Sequence, residues 1–124
     1  ICDFLMERAY MGVSIFGPVA HYIEHGQLRN FTSCGVLVGG GQDHYIEHLT
    51  MNNEPAYHPT AGIWVQSTGN TNISDCDIIN CGSCLYITGG YSVYVRDSFF
   101  DTADVGIRIA TATGVERCHF HGCE

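Results

Sequence analysis

Apolar residues recur along this chain in short alternating runs rather than at helical spacing. Five tetrads share a small residue, an aliphatic, a variable position and a second aliphatic: Gly12-Val13-Ser14-Ile15, Gly35-Val36-Leu37-Val38, Gly62-Ile63-Trp64-Val65, Cys84-Leu85-Tyr86-Ile87 and Gly106-Ile107-Arg108-Ile109. Their starts lie 23, 27, 22 and 22 residues apart. A second row, Ile23, Ile46, Ile73, Val95 and Val115, runs in phase with the first, and each member precedes a short polar pair. A third row follows that pair: Phe4, Leu28, Met51, Ile78, Phe100 and Phe120. Two residues ahead of these stand Cys2, Gly26, Leu49, Cys76, Ser98 and Cys118. Side chains two apart in an extended segment share a face, so each run predicts a short strand with one buried side. The best helix candidate is Phe4 to Tyr10, and it has neither a convincing cap nor a clear stop.

The unit is therefore about 22 residues long with three strands, and one longer unit carries extra residues around Glu54-Pro55-Ala56-Tyr57-His58-Pro59. Three strands per turn at a fixed period predict a coil of parallel strands in which like residues lie above like. At ~4.8 Å per rung, five rungs make a column roughly 24 Å tall.

The pattern, carried by stretches such as Asn72-Ile73-Ser74-Asp75-Cys76-Asp77-Ile78-Ile79-Asn80-Cys81-Gly82, resembles the right-handed parallel β-helix of pectate lyases, polygalacturonases and bacteriophage tailspikes. The resemblance covers nearly the whole chain and implies an all-β, single-stranded solenoid of about five rungs spanning 1–124. Asn30, Asn53 and Asn80 match the turn where that fold commonly stacks asparagines into a ladder, while Thr102 and Gly122 depart from it.

The string His-Tyr-Ile-Glu-His occurs twice, at 21–25 and 44–48. On a helix, H-x-x-E-H would put two zinc ligands and a base on one face. Here the copies lie 23 residues apart, the rung period, and the third and fourth rungs read Thr71-Asn72-Ile73-Ser74-Asp75 and Val93-Tyr94-Val95-Arg96-Asp97 at the same place. The histidines are lost while the architecture persists, so the zinc-peptidase reading lacks its structural context.

Composition narrows the function. The chain is 45% hydrophobic and 15% charged, with no lysine, five arginines against thirteen acidic residues, and a net charge of −8. Phosphate binding needs a basic footprint, so nucleic acid is not the expected partner. No apolar run reaches the length of a membrane span, and no membrane insertion is expected. Ile1-Cys2-Asp3-Phe4 reads like a chain joined in mid-stride, so a fragment of something longer is expected, with further chain or a homotrimeric partner covering both ends.

The seven cysteines include the CxxC pattern Cys81-Gly82-Ser83-Cys84, with Cys118 and Cys123 further on. They are expected mainly as small buried hydrophobes; neither a metal site nor a cofactor is expected. Asn30-Phe31-Thr32 and Asn72-Ile73-Ser74 fit the glycosylation pattern, but Asn30 is better placed as a ladder residue.

Outward positions carry the candidate chemistry. The tetrad strands turn Ser14, Leu37, Trp64, Tyr86 and Arg108 outward, and Trp64, Tyr86 and Arg108 on consecutive rungs form a stripe suited to sugar rings or to a protein interface. The insertion brings Glu54, Tyr57 and His58 to the rim of that face, where repeat proteins often bind. Glu24 and Glu47 stack at the rung spacing, near the ~5–5.5 Å of a retaining glycosidase pair. Asp75 and Asp97, with Asp77 and Asp101, are the other candidate acids, in the manner of a polygalacturonase-like hydrolase. Three readings follow: a virion or extracellular tailspike segment that binds polysaccharide and could cleave it, a secreted pectin-type lyase or glycoside hydrolase, and a non-catalytic stalk. An acidic pair sharing a groove with Trp64 and Tyr86 favours the enzyme, and separate faces favour binding or a stalk.

Overall fold

A computed structural model describes residues 1–66, 68–110 and 113–123, and every apolar run of the repeat is a strand. In chain order the strands are β1 (Cys2–Glu7), β2 (Met11–Ile15), β3 (Tyr22–Arg29), β4 (Cys34–Val38), β5 (His44–Asn52), β6 (Ala61–Val65), β7 (Thr71–Ser74), β8 (Asp77–Ile79), β9 (Ser83–Ile87), β10 (Val93–Arg96), β11 (Phe99–Asp101), β12 (Val105–Ile109), β13 (Thr113–Glu116) and β14 (His119–His121). Among the described residues there is no α-helix, and the one helical turn is the 3₁₀ turn Pro55–Tyr57 in the insertion. The tetrads form a five-stranded sheet in the order β12-β9-β6-β4-β2. The remaining nine strands make the second sheet, and the pairings are parallel throughout.

The second sheet has two panels that meet at a sharp corner. At that corner stand Asp3, His25, His48, Asp75, Asp97 and Arg117, all left-handed with φ between 48° and 54°. The register aligns their neighbours rung upon rung, for example Glu24↔Glu47↔Ser74↔Arg96↔Glu116. One left-handed residue reverses the local pleat without a loop. Aspartate and histidine tolerate that conformation better than most L-residues, which suits the composition of this column. In β3 and β5 the strand continues through the corner, whereas β7/β8, β10/β11 and β13/β14 are separated by it.

A second left-handed column holds Arg8, Asn30, Asn80, Thr102 and Gly122, with φ between 49° and 60°. The sequence places Thr102 and Gly122 outside the asparagine pattern, yet they adopt the same backbone. Asn53 belongs to this column by register but does not take the left-handed conformation, because the insertion leaves the coil there. Its amide is nevertheless the centre of the ladder. Asn53 Oδ1 accepts from the Phe31 amide at 3.1 Å, and Asn53 Nδ2 faces the carbonyls of Ile79 and Asn80 at 3.5 and 3.4 Å. Asn80 Nδ2 donates to the Asn53 carbonyl at 2.6 Å. Asn30 joins through its Oδ1, which accepts from the Glu54 amide at 2.9 Å. Buried backbone groups freed by the turn are satisfied side chain to rung, as burial requires.

The core is a stack of apolar layers. Ile23, Ile46, Ile73 and Val95 superpose in one inward row, and Leu28, Met51, Ile78 and Phe100 in another, all fully buried. In the last described rung Val115 and Phe120 continue these rows but are 40% and 51% exposed, because no described rung lies beyond them.

The first rung departs from the sequence reading in three ways. Phe4 to Tyr10 is not helical; its start is β1, paired with β3. Met6, not Phe4, aligns with Leu28. Phe4 instead lies over Gly26, where its ring occupies the space a Cβ would need. Cys2 consequently aligns with outward Glu24 and is exposed, unlike Cys76 in the inward row. A period of two makes a slip of two residues invisible to an apolar pattern, and Cys-x-Phe-x-Met offers both registers.

Asn53→Ala strands the Phe31 amide and removes the ladder's centre. A loss of about 2–4 kcal/mol is expected, read as a lowered urea midpoint at unchanged slope. Ile73→Asp buries a carboxylate between two apolar layers and should abolish the far-UV strand signal; a soluble, folded Ile73→Asp protein would refute the inward assignment.

Candidate functional site

The predicted stripe exists on the outer face of the five-stranded sheet, with Ser14, Leu37, Trp64, Tyr86 and Arg108 in register. Its geometry differs from a sugar platform. The Trp64 and Tyr86 rings stack on one another along the column, with centres 5.2 Å apart and planes 24° apart. The Arg108 guanidinium covers the Tyr86 ring at 5.4 Å. Trp64 Nε1 donates to Thr88 Oγ1 at 3.1 Å. Leu37 of the row, with Cys34 and Ala61, forms a buried apolar patch against Met11, Trp64 and Tyr86. The ring faces that would carry a sugar are largely used by the ladder itself, which turns ring edges to solvent.

The insertion splits between two places. His58 reaches the rim of this face, 3.4 Å from Asp104, in a shallow cleft shared with Arg108 and Ser83. Glu54 instead caps the asparagine ladder, accepting from Asn30 Nδ2 at 3.1 Å, and borders a separate hollow with Glu7, Arg29 and Asn52. Tyr57 closes the 3₁₀ turn and is half-buried.

Glu24 and Glu47 stack in adjacent rungs as expected. They stand on an open panel beside a second aromatic pair that the sequence reading passed over, Tyr22 and Tyr45, whose rings are 4.8 Å apart and nearly parallel at 4°. His25 Nε2 approaches Glu24 at 3.9 Å. The Glu24 side chain is 43% exposed and Glu47 is half-buried, so water reaches both.

The acids Asp75 and Asp97 occupy the sharp corner of the second sheet, on adjacent rungs, whereas Trp64 and Tyr86 belong to the other sheet. Around them opens a cleft of about 840 Å³ lined by Asp75, Asp77, Asp97, Phe99, Arg117 and His119 among others. Its carboxylates are not equivalent. The Arg117 guanidinium grips Asp97 with two hydrogen bonds, Nε to Oδ1 at 2.6 Å and a terminal nitrogen to Oδ2 at 2.7 Å. This hydrogen-bonded pairing holds the Asp97 carboxyl below the usual carboxylate range. Asp77 moves the other way: burial, and secondarily the charge of Asp101, raise its pKa. Asp77 Oδ1 is buried with no hydrogen-bond partner. Asp101 is held low by His121, 2.8 Å away, and by Thr102.

Phe99 was not among the sequence-derived candidates. It aligns between Asp77 and His119 on the outer side of the panel and is 38% exposed. Among the described residues no aromatic ring stacks on it, in contrast to inward Phe100, which meets Phe120 at 5.3 Å. Alternation marks it outward as the neighbour of Phe100. What the alternation hides is the corner that turns a strand surface into a cleft.

Cys34, Cys76, Cys81 and Cys84 are buried, whereas Cys2 is exposed and Cys118 and Cys123 are half-buried. All seven are unpaired; burial pushes the Cys76 and Cys81 thiols up to about 12 and Cys34 up to about 11, so they are poor thiolates. Cys123 reaches Cys84 of the CxxC pattern, but Cys118 sits in the separate row of Cys76 and Ser98. Among the described residues no group of three or more His, Cys, Asp or Glu side chains converges to hold a metal ion.

The Asp97–Arg117 pair gives a pH prediction. A depressed carboxyl pKa contributes stability that is present above the unfolded value, about 3.9, and is lost as pH falls through the folded value. Arg117→Ala should raise the Asp97 pKa toward about 3.9, seen by carboxyl NMR. Its stability deficit should be present at pH 7 and close in acid; an unmoved Asp97 titration would break the assignment.

Comparison with curated proteins finds no match, and comparison with solved structures finds none either. A family model described as the right handed beta helix region matches residues 7–124, in agreement with the three-strand rungs, parallel pairing and stacked turns, and the chain belongs to that family.

Proposed function

We propose that this chain recognises polysaccharide, and that the contact is the corner cleft of Asp75, Asp77, Asp97 and Phe99 rather than the Trp64–Tyr86 stripe. The observation that carries this reading is the unstacked Phe99 ring in the same cleft as an orphaned buried carboxylate oxygen of Asp77. A free ring beside hydrogen-bonding groups of fixed orientation suits a sugar, which has one apolar face and a rim of hydroxyls. Three carboxylates in the cleft and a chain charge of −8 disfavour acidic glycans such as pectin, and favour neutral or amino-sugar polymers. That choice leans toward a surface-polysaccharide binder of the tailspike type, in a virion or extracellular setting and with homotrimeric packing, over a pectin-type enzyme.

Asp77 raised and Asp97 lowered form the kind of split pair from which acid and base roles arise. Both Asp97 oxygens are engaged by Arg117, however, so binding ranks ahead of hydrolysis. A stalk reading draws support from the Trp64–Tyr86–Arg108 ladder, whose groups are satisfied within the column.

Retention on immobilised capsule, lipopolysaccharide and pectin glycans, read together with product size, tests these readings. Phe99→Ala should weaken retention on a neutral or amino-sugar glycan by about tenfold, the equivalent of ~1.4 kcal/mol. Trp64→Ala should leave retention unchanged. The reverse pattern would move the site to the stripe, and no retention on any glycan would leave the stalk. Shortened products that vanish in Asp77→Asn would add hydrolysis.

A further inference from the structure

The duplicated His-Tyr-Ile-Glu-His string does not form a helical metal motif: β3 begins at Tyr22, directly after His21, and β5 begins at His44. Yet the coil brings the first histidine of one copy against the first histidine of the other. His21 and His44 lie on adjacent rungs, anchored by the hydrogen bond from the Tyr45 amide to the His21 carbonyl at 2.9 Å. Their Nδ1 atoms are 3.3 Å apart.

We propose that His21 and His44 form a two-histidine site for an imidazole-preferring divalent metal ion, zinc being the probe of choice, with solvent completing its coordination. Three observations converge. The first is distance: two Zn–N bonds of about 2.0–2.1 Å meeting at a tetrahedral angle separate their nitrogens by about 3.3–3.4 Å. The second is direction. The ring centres are 5.2 Å apart, so nitrogens at 3.3 Å require the two Nδ1 edges to face one another. Stacking through the ring faces would keep them further apart.

The third is the proton on His44. Its Nε2 lies 2.6 Å from the Gly40 carbonyl, which only accepts, so Nε2 carries the hydrogen and Nδ1 of the neutral ring presents a lone pair to His21. A ring N–H fixed on a backbone carbonyl is the usual outer support of a metal-ligating histidine. The loop is shaped for that contact: Gly41 has φ 91°, and a Cβ there would strike the Gly17 carbonyl and the His44 ring. The charge of neighbouring Asp43 favours a cation there. His44 is buried and His21 half-exposed, so the ion and its water enter from the His21 side. The next rungs place Thr71 and Val93 in the row, which confines the site to two rungs. With two protein ligands the site is exchangeable rather than structural.

The test is calorimetric titration of the full chain with zinc(II) after alkylation of reachable thiols, alongside imidazole nitrogen NMR. One ion per chain is expected, with the shift change at Nδ1 of both rings and affinity falling in acid, where protons compete with the metal for the ring nitrogens. His21→Ala, at a half-exposed position, should stay folded by circular dichroism and bind at least tenfold more weakly. His25→Ala should bind as wild type, because His25 belongs to the other histidine pair, stacked on His48 with centres 4.8 Å apart. Equal zinc binding by wild type and His21→Ala, or no binding with unchanged Nδ1 signals, would reduce the pair to a hydrogen bond and overturn the site.

Discussion

Everything in this molecule depends on the parallel hydrogen bonds between rungs, which fix each turn one strand spacing from the next and in exact register with it. The hydrogen bonds run along the column, so a rung is held by its neighbours rather than by its own strands. Register is the quantity that cannot drift. A shift by one residue would turn Ile23, Ile46 and Ile73 outward together, and each corner residue would lose its left-handed partners above and below. The corners therefore matter as much as the core. Among the described residues twelve that are not glycine take positive φ, a local cost the stacked hydrogen bonds must offset.

Stacking also decides what the surface can do. When like residues superpose, they interact with each other first: Trp64 with Tyr86, Tyr22 with Tyr45, His25 with His48. Such ladders add rigidity and leave few ring faces for a ligand. Chemistry becomes available where a row is broken. Phe99 stands between an aspartate and a histidine, and among the described residues no ring stacks on it. Asp97 and Arg117 are unlike residues in one row and pair across a rung, while Asp77 lies buried without a partner for one oxygen. The His21–His44 pair is the exception that a ladder of like residues can itself chelate, because its nitrogens meet edge to edge.

Much of the architecture was legible before any coordinates. The tetrads, the inward isoleucines and the asparagine turn all follow from a fixed period, and each recurs often enough to identify the row. The first rung is not legible in this way, because Cys2, Phe4 and Met6 offer two registers of the same parity, and only pairing with Gly26 chooses between them. The candidate site was legible in part. Glu24 and Glu47 stack, Asp75 and Asp97 stack, and the Trp64 row exists, since register alone dictates adjacency. Which of these rows opens a cleft is a matter of where the coil bends, and the left-handed column at 25, 48, 75, 97 and 117 has no common residue type to announce it.

The sequence by itself determined the repeat, the number of strands per rung, the inward rows and the family, because a periodic apolar pattern admits one way of burying all its layers at once. Tertiary structure alone decided the functional candidates. It turned the ring faces of Trp64 and Tyr86 toward each other, sent Glu54 to the ladder and His58 to the rim, and left Asp77 without a partner. It also set His21 against His44. The physical reason is that adjacency along a coil is fixed by period, whereas ring orientation, proton position and cleft shape depend on corner geometry that no spacing encodes.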